Sequence, residues 1–332
     1  MTMLVTGAAG FVAAALVEEA AGRGEAVVAV DRAEPLPSLA AAWAALPGDV
    51  CFELADVRDP DGVARVLERH RPSVVVHGAA VTSGPAREAA DPTGILDVNI
   101  MGVARVLQAA HAAGVRRVVH LSSASAYGAA AFDGDALDEE ATPSRPESLY
   151  SVTKFAGERT ALRLGDLWGM DVRVARLTAV FGRWERDTGV RDTLSPQFQA
   201  TALALRGEEA VLDRPGQRDW VYVRDVAEAL LALRDAEAAP SVVNVGRGRE
   251  WAVACWCGLL AERFPRFRWR LAERGETPTV DLHGARDRRP LAVDRLAALG
   301  YRSDWGLERS FQDYMGWVDA HPGMVNPPTS AR

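Results

Sequence analysis

Tyrosine, lysine and serine stand at spacings that could carry a hydride-transfer reaction. Tyr150 and Lys154 bracket the run Tyr-Ser-Val-Thr-Lys, and on a helix a four-residue separation puts both side chains on one face. A free phenol, with a pKa of about 10, is a poor base near neutrality. A neighbouring ammonium favours the phenolate and brings it toward the working range. Lys154 is also the only lysine among 38 basic residues; every other one is arginine. An arginine bias accounts for the other cations but not for a lysine spared four residues after a tyrosine, where a compact, mobile charge is wanted. Upstream, 121–128 reads Leu-Ser-Ser-Ala-Ser-Ala-Tyr-Gly. Ser122, Ser123 and Ser125 are each able to orient a substrate oxygen, and spacing does not choose among them.

A second constellation precedes these residues. Gly7-Ala-Ala-Gly10-Phe11-Val12-Ala13 follows a short apolar run and opens a helical pattern. Gly7 permits a tight turn, Gly10 lets backbone approach a diphosphate at the helix N-terminus, and a small residue at 13 allows helix–strand packing. Asp31 ends the next apolar run, where a carboxylate accepts ribose hydroxyls and repels a 2′-phosphate. This favours NAD over NADP, although the adjacent Arg32 could hold a phosphate.

The elements that must position these groups alternate. Apolar runs at 3–6, 26–30, 50–54, 74–77, 118–122, 172–177 and 241–245 read as strands. Helical patterns lie at 11–21, 61–70, 95–113, 150–167 and 225–234, and Gly114 is placed as a C-cap. All-apolar strands alternating with helices predict an α/β fold, a Rossmann-type doubly wound parallel sheet. Past 181 the pattern loosens, which predicts a smaller, partly discontinuous C-terminal substrate domain. The expected division is 1–180 as dinucleotide-binding domain, with 219–248 returning to it, then 181–218 and 249–325 as substrate domain. The Pro-containing 326–332 reads as a flexible tail.

Composition narrows the function. A net charge of −7 without a basic block argues against nucleic acid. No apolar run reaches the roughly 20 residues of a membrane helix, and the N-terminus lacks a secretory pattern. Cys51, Cys255 and Cys257 have no metal-type spacing, so no metal and a cytoplasmic location are expected.

Taken together, these motifs resemble the extended short-chain dehydrogenase/reductase family, in particular its NAD-dependent epimerase/dehydratase branch. The resemblance runs over almost the whole chain. Residues 6–13, including Phe11 and Val12, are similar to its T-G-x-x-G-F-x-G, departing at Ala13. It implies that Asp56 and Val57 flank the adenine and that Gly78, Ala79 and Ala80 line the cofactor. Asn99 would help anchor the lysine through water, and Leu177 would lie beside the cofactor. Within 121–128 it points to Ser123 as the catalytic hydroxyl, with Tyr150 and Lys154 as its Y-x-x-x-K. Arg218 in 216–230 matches a phosphate-binding arginine of sugar-nucleotide enzymes, and Arg295 replaces a usual lysine. Ala179 stands where an Asn is common. Ala124 and Ser125 stand where 4,6-dehydratases carry an acid pair, which argues against that reaction.

The expected enzyme is therefore an NAD-dependent oxidoreductase acting on a hydroxyl or keto carbon of a sugar-type, anionic substrate, nucleotide-sugar epimerase-like. Arg183, Arg186 and Arg191 cluster in the 183–195 loop and could hold a phosphate or carboxylate; Arg183 and Arg191, with Arg218, are taken as substrate contacts. Thr82 and Ser83 are candidate hydroxyl contacts. The rivals are a one-way dehydrogenase or reductase of a sugar acid, hydroxy acid or other alcohol, and a noncatalytic dinucleotide sensor. By the resemblance, helices 95–113 and 150–167, with Val103, Val106, Leu107, Phe155, Arg159 and Leu162, pair across a twofold axis into a homodimer.

Overall fold

The computed structural model describes residues 2–325; the tail expected at 326–332 lies outside the described residues. Seven parallel strands form the main sheet: β1 (Thr2–Thr6), β2 (Ala26–Asp31), β3 (Val50–Leu54), β4 (Val74–His77), β5 (Arg117–Ser123), β6 (Asp171–Leu177) and β7 (Val242–Val245). Their spatial order is β7-β6-β5-β4-β1-β2-β3. The order reverses between β1 and β4, and an open α/β sheet binds ligands outside the strand ends at such a switch point.

Both faces are covered. Met3 and Val5 of β1 enter one core with Leu16 and Val17 of helix α1 (Phe11–Gly22). Leu4 between them enters the other, with Val103, Val106 and Leu107 of α2 (Gly102–Ala112) and Ala161 of α3 (Leu149–Trp168). The alternation follows from the two-residue strand period. It corrects one expectation: Val103, Val106 and Leu107 are consumed by their own sheet, so they offer nothing to a second copy. The apolar side chains left exposed along this flank are Leu96, Met101, Val152 and Leu167.

The helix expected over 95–113 is composite. Pro92–Leu96 is α-helical, Asp97–Met101 is a π turn, and α2 follows. Gly114 has φ +74° at the end of α2, as a glycine C-cap requires. β7 pairs with β6 from Val242↔Val174 to Val245↔Leu177. Past β6, Ala179–Phe181 pairs with Trp220–Tyr222, Gln217–Arg218 with Trp251–Ala252, and Glu209–Leu212 with Arg268–Leu271. α4 (Val223–Asp235) packs beside α1, and α5 (Leu307–Ala320) closes the described chain.

A buried ion pair ties the strands under the site to α3. Arg176 of β6 donates to both oxygens of Glu158 on α3, at 2.9 and 2.5 Å, and Ser122 of β5 donates to the same carboxylate at 3.2 Å. The guanidinium also lies 4.7 Å over the Tyr127 ring. Removing one partner of such a pair leaves an uncompensated buried charge. Glu158→Ala is therefore expected to lose about 3–5 kcal/mol of stability in denaturant unfolding, while Glu158→Leu combined with Arg176→Met recovers most of it. A loss under about 1 kcal/mol for the single variant would rule out this tether.

Candidate functional site

Two cavities meet on the carboxyl edge of the sheet. The first, about 450 Å³, follows the Gly7–Ala13 loop to Asp31, Arg32, Asp56 and Val57 and is flanked by Gly78, Ala79 and Ala80. The second, about 320 Å³, holds Ser123, Tyr150 and Lys154. Val12, Gly78, Ala80, Thr82 and Arg191 line both, so the two are parts of one cleft.

The first cavity is built for a dinucleotide. Gly7 has φ +72°, and a Cβ there would meet the backbone of Ala79 at 2.8 Å, so only glycine lets the loop lie against β4. The start of α1 has no side-chain cap and no acid in its first turn. Its free N–H groups and positive dipole end suit a diphosphate. Asp31 accepts from the Ala9 N–H at 3.0 Å and the Ala33 N–H at 3.2 Å. Burial raises its carboxyl above the ordinary value, and these backbone donors with the Arg32 charge pull the other way. Asp56 accepts a forked bond from Arg58, which holds its carboxyl low.

In the second cavity α3 carries Tyr150 and Lys154. Its N-cap, Ser148, accepts from the Ser151 N–H at 3.2 Å, and Glu88 accepts from the Tyr150 N–H at 2.9 Å. Tyr150 and Lys154 therefore sit in the first turns, facing the end of β5. Burial pushes the Tyr150 phenol above its ordinary value. The Ser123 hydroxyl, the Arg191 charge, the Thr82 hydroxyl and the Arg288 charge favour its anion. Lys154 is 6% exposed and donates to the Leu121 carbonyl at 2.5 Å. Burial lowers its ammonium to about 8, against the pull of Glu158. Arg191 and Arg288 thus join Lys154 as cations around the phenol, and the Lys154 ammonium is itself lowered toward neutrality.

Ser123 sits at the last position of β5, with its hydroxyl accepting from the Ser125 N–H at 3.1 Å. Ser122 is turned down to Glu158, and Ser125 lines the cavity wall. Asn99 is in neither cavity. Its amide oxygen accepts from the Val81 N–H at 2.8 Å, and its nitrogen donates to the Val81 carbonyl and to Thr153. Asn99 thus clamps the loop after β4 to α3 and makes no side-chain bond to Lys154. Its own carbonyl lies against Gly157, where a Cβ would approach it to 2.8 Å, so Gly157 permits α3 to pack on the π turn. Leu177 borders the reacting cavity rather than the dinucleotide groove.

The 183–195 loop splits. Arg183, expected as a substrate contact, lines neither cavity: it pairs with Asp313 of α5 at 2.5 Å and lies 3.8 Å from Glu18 of α1. Arg191 lines both cavities and donates to the buried Glu185 at 2.7 Å. Arg186 faces the dinucleotide groove instead. Arg218, Thr82 and Ser83 line the second cavity as expected, joined by Trp220, His283, Arg288 and Arg289. Sequence reasoning misses these four because Trp220 stands on a three-residue strand and the others on irregular segments, too short or too irregular to carry a period. Burial and the nearby Arg288 charge lower Arg218 to about 10. Its Nη2 donates to the His283 carbonyl at 3.2 Å, and its Nε is buried with no hydrogen-bond partner among the described residues.

Cys51 also departs from expectation. It stands beside Glu53 and His70, with ligand atoms within 4.8 Å of one another. Glu53 already accepts from Arg69 and bonds His70 at 2.6 Å, which makes the group an ion-paired sheet edge.

The NAD dependent epimerase/dehydratase family model matches residues 3–246. A UDP-glucose 4-epimerase of Mycolicibacterium smegmatis is 33% identical over 256 residues, covering 75% of this chain and 78% of its own. A dTDP-glucose 4,6-dehydratase of Xanthomonas campestris is 27% identical, covering 95% and 92%. Among solved structures, MoeE5 in complex with UDP-glucuronic acid and NAD aligns with TM-score 0.75 at 28% identity, covering 96% of this chain and 99% of its own. The fold, the dinucleotide loop and the Y-x-x-x-K helix accord with that match: the chain belongs to the NAD dependent epimerase/dehydratase family, within the extended short-chain dehydrogenases/reductases.

Proposed function

We propose that the protein is an NAD-dependent nucleotide-sugar epimerase in which Ser123, Tyr150 and Lys154 act at the reacting carbon. One observation carries this reading. The cavity that presents Tyr150 is lined by Lys154, Arg191, Arg218, Arg288 and Arg289 and by no Asp or Glu, although the chain has a net charge of −7. Such a lining selects an anionic substrate, and the guanidinium fork matches phosphate oxygens. Residues 181–218 and 249–325 then act as the substrate-binding part.

The chemistry follows from the positions. Ser123 holds the reacting oxygen, and Tyr150 takes the hydroxyl proton as the carbon is oxidised and returns it when the keto carbon is reduced from its other face. Bound NAD supplies the hydride acceptor and then the donor. Lys154 and the flanking arginines keep the phenolate accessible. The acid-free cavity, with Ala124 and Ser125 at its wall, offers no carboxylic acid to protonate a leaving hydroxyl. That favours epimerisation over the 4,6-dehydration performed by some relatives. A cytoplasmic location belongs to the same proposal; among the described residues no helix is long and apolar enough to cross a membrane. So does a homodimer, with Leu96, Met101 and Val152 offering the apolar contact.

With UDP-linked and dTDP-linked hexoses and uronic acids as probes, isomer formation without net NADH is the expected outcome. Stoichiometric NADH would replace the epimerase with a dehydrogenase, and no turnover with a bound dinucleotide would favour a sensor. Tyr150→Phe is expected to lower kcat by about 10²- to 10⁴-fold; an unchanged rate overturns its role. Arg218→Ala is expected to raise KM and leave NAD affinity alone, and loss of both refutes a substrate contact.

The pH dependence tests Lys154 separately. Its folded-state pKa, about 8, lies below its ordinary value of 10.5, so the charged form is lost as pH rises through about 8. An alkaline limb near that value is expected in kcat/KM. Lys154→Arg keeps the charge through this window, so it should remove the limb while lowering activity. A limb unchanged in Lys154→Arg would assign it to another group.

A further inference from the structure

The segment between Gly182 and Pro196 crosses the dinucleotide groove as a strap pinned at both ends. At its start, Trp184 is fully buried against Trp317 and His321 and donates its indole N–H to Glu18 of α1 at 3.1 Å. Beside it the buried Glu185 accepts from the Ser195 N–H at 2.8 Å, from the Ser195 hydroxyl and from Arg191. At the far end the strap pairs with the loop after β4. The Thr82 N–H donates to the Val190 carbonyl at 2.8 Å, and the Asp192 N–H donates to the Thr82 carbonyl at 3.0 Å. Asp192 is further held by a forked bond from Arg87 and by the Gly84 N–H. Between these pins Arg186, Asp187, Thr188, Val190 and Arg191 form the wall facing Gly10, Phe11 and Asp31.

Arg186 is the unexplained member. Its neighbours in the loop are paired with Asp313 and Glu185. Arg186 has no hydrogen-bond or salt-bridge partner among the described residues, and its Nη1 is fully buried. The charge that acts on it is that of Asp31, on the opposite side of the groove, and burial pulls its guanidinium below the ordinary value. Arg186 is half-buried, and a guanidinium whose buried end has no partner is costly unless something binds it. The first turn of α1, which carries no acid and no side-chain cap, presents N–H donors to the same groove. A diphosphate between them would have donors on both sides.

We propose that Arg186 contacts the diphosphate of the bound dinucleotide from the side opposite α1, and that the strap bearing it retains the cofactor between turnovers. Arg186 is a cofactor-binding residue and not the substrate contact its place in an arginine cluster implies. This rests on the dinucleotide reading of the first cavity, and retention suits a reaction in which NAD is reduced and reoxidised without leaving.

The test is binding, independent of turnover. Titrate NAD, NADP, ADP-ribose and adenosine into apoprotein of the native chain, Arg186→Gln and Arg87→Gln, by calorimetry, and follow NAD release after rapid dilution. Arg186→Gln is expected to weaken NAD and ADP-ribose alike by about 10- to 100-fold, the range of one charge-assisted hydrogen bond, and to leave adenosine unchanged. Arg87→Gln, which does not line the groove, is expected to speed NAD release by unpinning the strap. NAD and ADP-ribose affinities of Arg186→Gln within twofold of native refute the contact. A selective loss of NADP binding refutes it too and moves Arg186 to a 2′-phosphate. Native release rates in Arg87→Gln refute the strap. Native protein that binds no dinucleotide would instead overturn the reading of the whole cleft.

Discussion

The site depends on burying one ammonium. Lys154 sits beneath the end of β5 with a backbone carbonyl as its direct acceptor. The carboxylate that could neutralise it, Glu158, is already bonded by Arg176 and Ser122. This shared compensation decides the titration. Burial lowers the ammonium and the Glu158 charge raises it, in opposition. The intermediate arrangement leaves Lys154 near 8. The same charge reaches the stacked pair His77 and His120, which burial already holds neutral. An arginine at 154 could not reproduce this, because it brings five donors to a place that offers one carbonyl.

In an arginine-rich chain, acids tie several guanidinium groups into the scaffold, and Arg191 alone of these also lines both cavities. Arg183 pairs with Asp313, Arg214 with Asp287 and Arg270 with Glu276; each pins one segment to another. Arg186, Arg218 and Arg288 have no acidic partner within salt-bridge distance among the described residues, and all three line the cleft. A protein can leave cations unpaired in a half-buried cavity only where ligand or solvent answers their charge. The distribution therefore supports the proposed anion sites along the cleft, Arg186 lining the first cavity and Arg218 and Arg288 the second.

The sequence shows the parts of this site that are local. The Gly7–Ala13 loop, Asp31 after the second strand and the Tyr150–Lys154 pair each depend on spacing within one element or one turn. The strand–helix alternation likewise follows from side-chain periods. What was not legible depends on distant residues. Arg183 and Arg186 are indistinguishable as text, and only the arrival of Asp313, 130 residues later, turns the first into a pin. The π turn at Asp97–Met101 is hidden inside an unbroken amphipathic pattern, and the bonds of the Asn99 amide to Val81 and Thr153 depend on tertiary packing. Arg288 sits on a segment with no period at all.

Cofactor groove and substrate cavity share a wall, and this makes their occupancies interdependent. Thr82 bonds the strap through both its N–H and its carbonyl, and its hydroxyl bears on Tyr150. Arg191 stands at the same seam, 4.9 Å over the Phe11 ring at the start of α1 and bonded to Glu185. Any anion that draws Arg191 toward Tyr150 also pulls on the segment that carries Arg186. Under the proposed function, an anion held in the second cavity would therefore bear, through Thr82 and Arg191, on the segment that walls the first.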